Sequence, residues 1–450
     1  MKDDGLFAHK FGKDFVWGVA IAAQQNEGGR HALGRSDSIW DTFADKKGKI
    51  KNSQTIGETC DYLHRYKEDH SIVQNIGFNA FRFSISWSRL IPEGIGVVNK
   101  KAIEYYDKII DDCLKKGLTP YLTLYHWDLP EILEKEGGWT SHRMLIWFSY
   151  YVKTCAEAFG DRVKHWIILN EPMGYTSLGY FLGKHAPGKR GFSNFFPAVH
   201  HTLLCQAEGG RIIRDLVPNA VIGTTFSCSK IVPYTDSIED INAAKRVDAL
   251  MNRLFLEPVL GLGYPKVPGF KLLEKLELHN LGWRHKEKMQ FDFDFIGVQN
   301  YFPLTVKYNA FIPYLFASEV KPLVRKVPIT SLGWEVNSQM FGAIIEQFAQ
   351  YKNIKNIIVT ENGASFKDTM KNGVIDDKKR IAYYHTHLKE LLKLKNKGLP
   401  INGYFSWTLT DNFEWSFGYT PTFGLVHVNR VTQERTLKQS AHWFRQFLKS

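Results

Sequence analysis

The stretch VKHWIILNEP (163–172) decides how this chain folds. Its centre is a short apolar run, closed by an Asn and a Pro, that does not alternate with polar residues. That is the pattern of a strand covered on both faces. Seven other runs repeat it: FVWGVAIA (15–22), FNAFRFSI (78–85), TPYLTLYH (119–126), AVIGTTFS (220–227), FDFIGVQN (293–300), NIIVTENG (356–363) and LPINGYFSW (399–407). Each is bounded by Gly, Pro or Asn and followed by a helix-like segment. In 101–116, for example, Ile103, Tyr106, Ile109, Ile110 and Cys113 fall on one helical face. Eight buried strands alternating with helices predict a parallel sheet covered on its outer side. Eight units favour closure into a (β/α)₈ barrel over an open sheet. The expected fold is therefore α/β, a single TIM barrel, with residues 1–450 forming one domain.

Composition agrees with this. The chain has 450 residues, long for an average domain but ordinary for an α/β barrel. No internal repeat or low-complexity linker interrupts it. The five cysteines (Cys60, Cys113, Cys155, Cys205, Cys228) are odd in number and form no CxxC pair, which argues against a disulfide framework and a zinc site. The opening MKDDGLFAHKFGKDF has no apolar core, so no secretory leader is expected. No run approaches the length of a membrane span. The expected location is the cytoplasm. Net charge is +12, but the dense basic stretches at 46–51 and 389–397 read as a Gly-punctuated loop and a solvated helix face. No nucleic-acid motif accompanies them, and no nucleic-acid partner is expected. Gly-rich phosphate loops are absent as well, so neither an organic cofactor nor a metal is expected.

Polar and aromatic residues cluster where the apolar runs end: Gln25, Arg82, His126, Trp127, Asn170, Glu171, Tyr301, Glu361 and Trp407. In a barrel all strand C-termini open onto one face, so these residues should meet. Two of them are glutamates, Glu171 in WIILNEP and Glu361 in IIVTENG. Glycoside hydrolysis needs two carboxyl groups flanking the scissile bond, one protonated and one ionised.

The chain resembles glycoside hydrolase family 1, the β-glucosidase family of retaining enzymes. Asn170-Glu171-Pro172 matches the family's acid/base motif and Thr360-Glu361-Asn362-Gly363 its nucleophile motif. FVWG (15–18), HRYKED (64–69), RFSISW (82–87), YHWDLP (125–130), APG (186–188), DFIG (294–297), GYF (403–405) and DNFEW (411–415) extend the match from about residue 11 to the C-terminus.

The resemblance implies a double displacement on small β-glycosides or oligosaccharides. Glu361 attacks and becomes glycosylated; Glu171 gives a proton to the leaving oxygen and then takes one from water. It also implies that Arg82 and Tyr301 contact the nucleophile, and that Gln25, His126, Asn170, Glu414 and Trp415 hold sugar hydroxyls. Asn170 faces the 2-hydroxyl, and Trp407 stacks under the ring. Trp334 lines the aglycone side and Phe423 packs near C6. Trp127 reads as packing. Glu414 marks a non-phosphorylated glycoside, because relatives acting on 6-phosphosugars replace this acid. β-Galactosidase, β-fucosidase, 6-phospho-β-glucosidase and an inactive glycan-binding barrel are the alternatives on the same scaffold.

The chain departs from the family pattern at Ile21, Gln24 and Asn26, and adjacent Gln24 and Gln25 leave a question of register. Phe255, Glu257 and Thr422 depart too. So does Gln299-Asn300-Tyr301, where the family usually has Asn-Tyr-Tyr or Asn-Tyr-Phe. Gapless alignment from DFIG places Tyr301 on the family's catalytic Tyr.

Overall fold

A computed structural model describes residues 5–280 and 287–450, so the opening segment read above is described from Gly5 onward. Eight parallel strands close a barrel: β1 (Val16–Ala20), β2 (Ala80–Ser84), β3 (Thr119–Tyr125), β4 (His165–Asn170), β5 (Val221–Ser227), β6 (Phe295–Gln299), β7 (Ile357–Asn362) and β8 (Ile401–Trp407). Each lies inside one of the eight apolar runs. Their order around the barrel follows the chain, and β8 closes on β1 with Val16 opposite Gly403 and Ala20 opposite Trp407.

The barrel interior explains several glycines. Ala80, Tyr121, Ile167, Phe295, Ile358 and Phe405, with Val16 and Val221, form one internal cluster to which every strand contributes a side chain. Phe405 meets Tyr121 edge-on at 4.9 Å. A Cβ on Gly18 would lie 2.2 Å from the Phe405 ring, and one on Gly223 would lie 2.3 Å from Phe295. Close packing leaves no room for even a methyl group there. This plug seals the barrel beneath the site.

Helices cover the outside: α1 (Tyr62–Ile76), α2 (Lys100–Lys115), α3 (Met144–Phe159), α4 (Phe192–Leu216), α5 (Lys271–Asn280), α6 (Ser338–Ala349), α7 (Lys378–Asn396) and α8 (Gln439–Leu448). In α2, the Asn99 side chain caps the first turn through the Lys101 N–H. Its buried face carries Tyr106, Ile109, Ile110 and Cys113 as the periodicity predicts, with Ala102 and Tyr105 added and Ile103 only half-buried. Arg380, in the first turn of α7, is a charge taken out of solvent. It is fully buried and paired with Asp377 at 2.5 Å and Asp368 at 3.0 Å. Among the described residues, no helix is long and apolar enough to cross a membrane.

Candidate active site

Glu361 ends an apolar run on β7 and is 3% exposed. Arg82, on β2 and almost three hundred positions away in sequence, donates to its Oε1 at 2.5 Å. The Tyr301 hydroxyl, just beyond β6, donates to Oε2 at 2.6 Å. Two charge-assisted hydrogen bonds thus hold the carboxylate from opposite sides. Gly363, two residues on, has no space for a side chain, since its Cβ would sit 2.0 Å from the Trp407 carbonyl oxygen. The TENG turn therefore presses β7 against the end of β8.

Glu171 follows β4 with φ of 46°, a left-handed conformation that is costly for a residue with a Cβ. Its N–H is tied to the Thr225 carbonyl at 3.0 Å, and Pro172 starts a helix (Pro172–Tyr180) directly after it. A Cβ on Gly174 would lie 2.7 Å from the Trp127 ring, so this turn too admits only glycine. The arrangement turns Glu171 into the cavity that Glu361 lines, which has a volume of about 220 Å³.

The two carboxyls differ in what surrounds them. Burial pushes Glu171 up to about 8, and the negative charge of Glu361 adds to the push. Burial also raises Glu361, but Arg82, Tyr301 and Gln299 all oppose the rise. The proton shared by the pair therefore resides on Glu171 and the charge on Glu361.

Most of the remaining sugar-ligand candidates line the same cavity: His126, Tyr301, Trp334, Trp407, Glu414, Trp415 and Phe423. Trp407 donates its indole N–H to Glu414 at 3.2 Å and stacks on the His126 ring with centroids 5.9 Å apart. Trp334 packs on Phe302, Tyr301 and Phe423. Arg82, Asn170 and Gln25 are fully buried immediately behind this wall. The Asn170 Oδ1 accepts from Arg82 (2.5 Å), Gln299 (2.9 Å) and Thr225 (3.2 Å). Three donors fix that atom as the oxygen, so Nδ2 must donate to His126 Nε2 at 3.0 Å. His126 is then neutral with its proton on Nδ1, in keeping with burial and Arg82 holding it well below the usual histidine range.

The departures from the family pattern are absorbed locally. Gln24 is used up by Arg35 (2.6 Å), Ser38 (2.9 Å) and Asp41 (3.2 Å), whereas Gln25 donates only to the Phe413 carbonyl and its Oε1 has no protein partner. Of the two, only Gln25 keeps a side-chain oxygen free of protein partners. Asn26 accepts from Thr410 at 2.8 Å. Asn300 ties the end of β6 to the Cys228 carbonyl at 2.8 Å. Glu257 binds Arg253 and Tyr351, and Thr422 bonds the Phe366 carbonyl. Ile21 and Phe255 are core residues.

Trp127 both stacks on Trp415, at 4.8 Å, and lines the cavity, so packing is only half of its part. Residues that sequence reading missed are Leu178, His185, Ser227, Phe302, Leu332 and Phe417. Only Ser227 and Phe302 border an apolar run. Leu178 lies on the helix that follows Glu171, Phe417 ends a single 3-10 turn, and His185 and Leu332 sit in irregular segments, none of them marked by an apolar run.

A closed (β/α)₈ barrel that turns two unlike carboxyls into one aromatic-walled cavity at the ends of its strands is the architecture of a barrel glycoside hydrolase. The comparisons sharpen this. The model described as glycosyl hydrolase family 1 matches residues 7–450, and the chain belongs to that family. It is 38% identical over 446 residues to beta-glucosidase A of Thermotoga maritima, covering 98% of each chain. A Thermotoga maritima family 1 glycoside hydrolase solved with a cyclophellitol analogue transition state mimic superposes with a TM-score of 0.93 at 38% identity, over 99% of this chain and 98% of the other. A 6-phospho-beta-galactosidase of Clostridium acetobutylicum is 33% identical over 462 residues, covering 97% of this chain and 96% of its own.

Proposed function

We propose that this chain is a β-glucosidase that releases terminal non-reducing β-D-glucosyl residues with net retention, working as one barrel domain. The observation that carries the reading is the contrast between the two carboxyls. Glu361 is held by Arg82 and Tyr301, while Glu171, in the same cavity, has burial and a neighbouring charge to keep its proton. Glu361 attacks the anomeric carbon as Glu171 protonates the leaving oxygen. Glu171 is left ionised by that transfer, a form favoured once esterification has removed the Glu361 charge, and it then takes a proton from the attacking water as Glu361 departs. Gln25, His126, Asn170, Glu414 and Trp415 bind the sugar hydroxyls, Trp407 supports the ring, and Trp334 and Phe423 bound the aglycone side and C6.

A non-phosphorylated sugar is the substrate. Burial already pushes Glu414 up to about 8, and none of the groups acting on it is a cation. A phosphate placed there would meet an acid with no neutralising partner. Five buried thiols without disulfides suit the reducing cytoplasm.

The test is a panel of 4-nitrophenyl β-gluco-, galacto-, fuco-, manno- and xylosides and the 6-phospho-β-glucoside, with proton NMR of the first sugar released. Hydrolysis of the β-glucoside with β-glucose appearing first is expected. Initial α-glucose would exclude retention, and a preference for 6-phosphoglucosides would exclude the substrate.

A further inference from the structure

Gln299 stands where the family pattern has Asn, and the scheme above gives it no part in holding the sugar. It ends β6, is fully buried, and its side chain lies between the two residues that matter most at C1 and C2 of the sugar. Its Nε2 donates to Asn170 Oδ1 at 2.9 Å. The Gln299 side chain also favours the ionised form of Glu361. Its own Oε1 has no protein partner.

The consequence falls on Asn170. A carboxamide can flip, exchanging donor and acceptor with almost no change in shape. Here Oδ1 receives Gln299, Arg82 and Thr225 from three different strands. With that oxygen saturated, Nδ2 gives one hydrogen to His126 and keeps one for a ligand. Arg82 is committed to Glu361 as well, through the same guanidinium. Gln299 is therefore one of three donors, with Arg82 and Thr225, that set the orientation of Asn170.

We propose that Gln299 is a positioning residue that locks Asn170 with its amide nitrogen toward the sugar 2-hydroxyl, so that recognition of this hydroxyl depends on a side chain that never touches it. The inference rests on the retaining β-glucosidase reading. Hydrogen bonds to the 2-hydroxyl strengthen at the transition state, so a misoriented Asn170 should be felt in kcat/KM and only where that hydroxyl is present.

The experiment compares 4-nitrophenyl β-D-glucoside with its 2-deoxy analogue on the full chain and on Gln299→Met and Gln299→Ala, neither of which can donate. Alanine serves if the methionine variant does not fold. We expect kcat/KM on the glucoside to fall about 10- to 100-fold, the range for one lost hydrogen bond in a buried polar network. On the 2-deoxy substrate the fall should stay within about 3-fold, so the preference for the 2-hydroxyl shrinks. Gln299→Asn, which keeps the amide, should retain more of that preference than either apolar variant. Equal losses on both substrates would mean a structural role, and an unchanged preference would mean no role; either overturns the proposal. If the unaltered chain hydrolyses neither substrate, the β-glucosidase reading fails instead.

Discussion

Replacing Tyr301 by Phe removes one hydroxyl and little else. The ring keeps its edge-on contact with Phe423 at 6.0 Å and its packing on Trp334 at 5.7 Å, so the wall of the cavity survives. What is lost is the 2.6 Å hydrogen bond to Glu361 Oε2, while Arg82 still holds Oε1. A buried hydrogen bond to a charged group contributes about 1.5–3 kcal/mol, or roughly 10- to 150-fold in an equilibrium constant. That loss destabilises the ionised form of Glu361 relative to the protonated one. Its folded-state pKa, already raised by burial, must rise further. Glu361 reacts only when ionised, so activity is lost first at low pH. The acid limb of kcat/KM against pH should move to higher pH, with a fall of about tenfold or more on that limb. The measurement is that profile for 4-nitrophenyl β-D-glucoside with wild type and Tyr301→Phe in parallel, alongside thermal denaturation. An acid limb that stays in place, or moves to lower pH, would refute the reasoning, because the hydroxyl would then not be stabilising the carboxylate.

Other outcomes follow from the same geometry. Glu361→Gly should abolish hydrolysis, and added azide or formate should restore it by occupying the space of the lost carboxylate; absence of rescue would count against Glu361 as nucleophile. Glu171→Ala should slow glycosides with poor leaving groups far more than activated aryl glycosides, which need no proton. Because Glu171 must be protonated and is raised to about 8, wild-type activity should hold at neutral pH and fall as pH rises through about 8. In Glu171→Ala that basic limb should vanish, and its persistence would assign the limb to another group. Gly363→Ala forces a methyl group against the Trp407 carbonyl, 2.0 Å away, and should cost about 1–3 kcal/mol by chemical denaturation, with a loss of activity because β7 carries Glu361.

Much of this molecule is legible along the chain because the barrel repeats one local rule. A strand buried on both faces has to be short and apolar, and a helix laid over it needs one apolar stripe. Glu171 and Glu361 stand out because each breaks an apolar run at its C-terminal end, Trp407 because it closes one, and Arg82 because it is a charge in the middle of one. The loops follow no such rule. Trp127 looked like packing because nothing in its neighbourhood indicates that Trp415, far along the chain, would stack on it and that the ring would also line the cavity. His185 and Phe417 gave no cue at all, since loop conformation depends on neighbours brought from elsewhere.

By itself, the order of residues determined that eight strands would alternate with helices, that their ends would share a face, and that two carboxylic acids would stand there, since all of this depends on which side chains tolerate burial. Which acid keeps the proton was decided only in three dimensions. Both glutamates follow similar apolar runs, and folding alone brings Arg82, Tyr301 and Gln299 onto one of them, while at the other burial and its neighbour's charge outweigh Ser227 and the more weakly acting Arg82. The same holds for the orientation of Asn170, set by donors from three separate strands. Ionisation and hydrogen-bond direction depend on distances of a few ångströms between groups remote along the chain, and those distances come into existence only when the barrel closes.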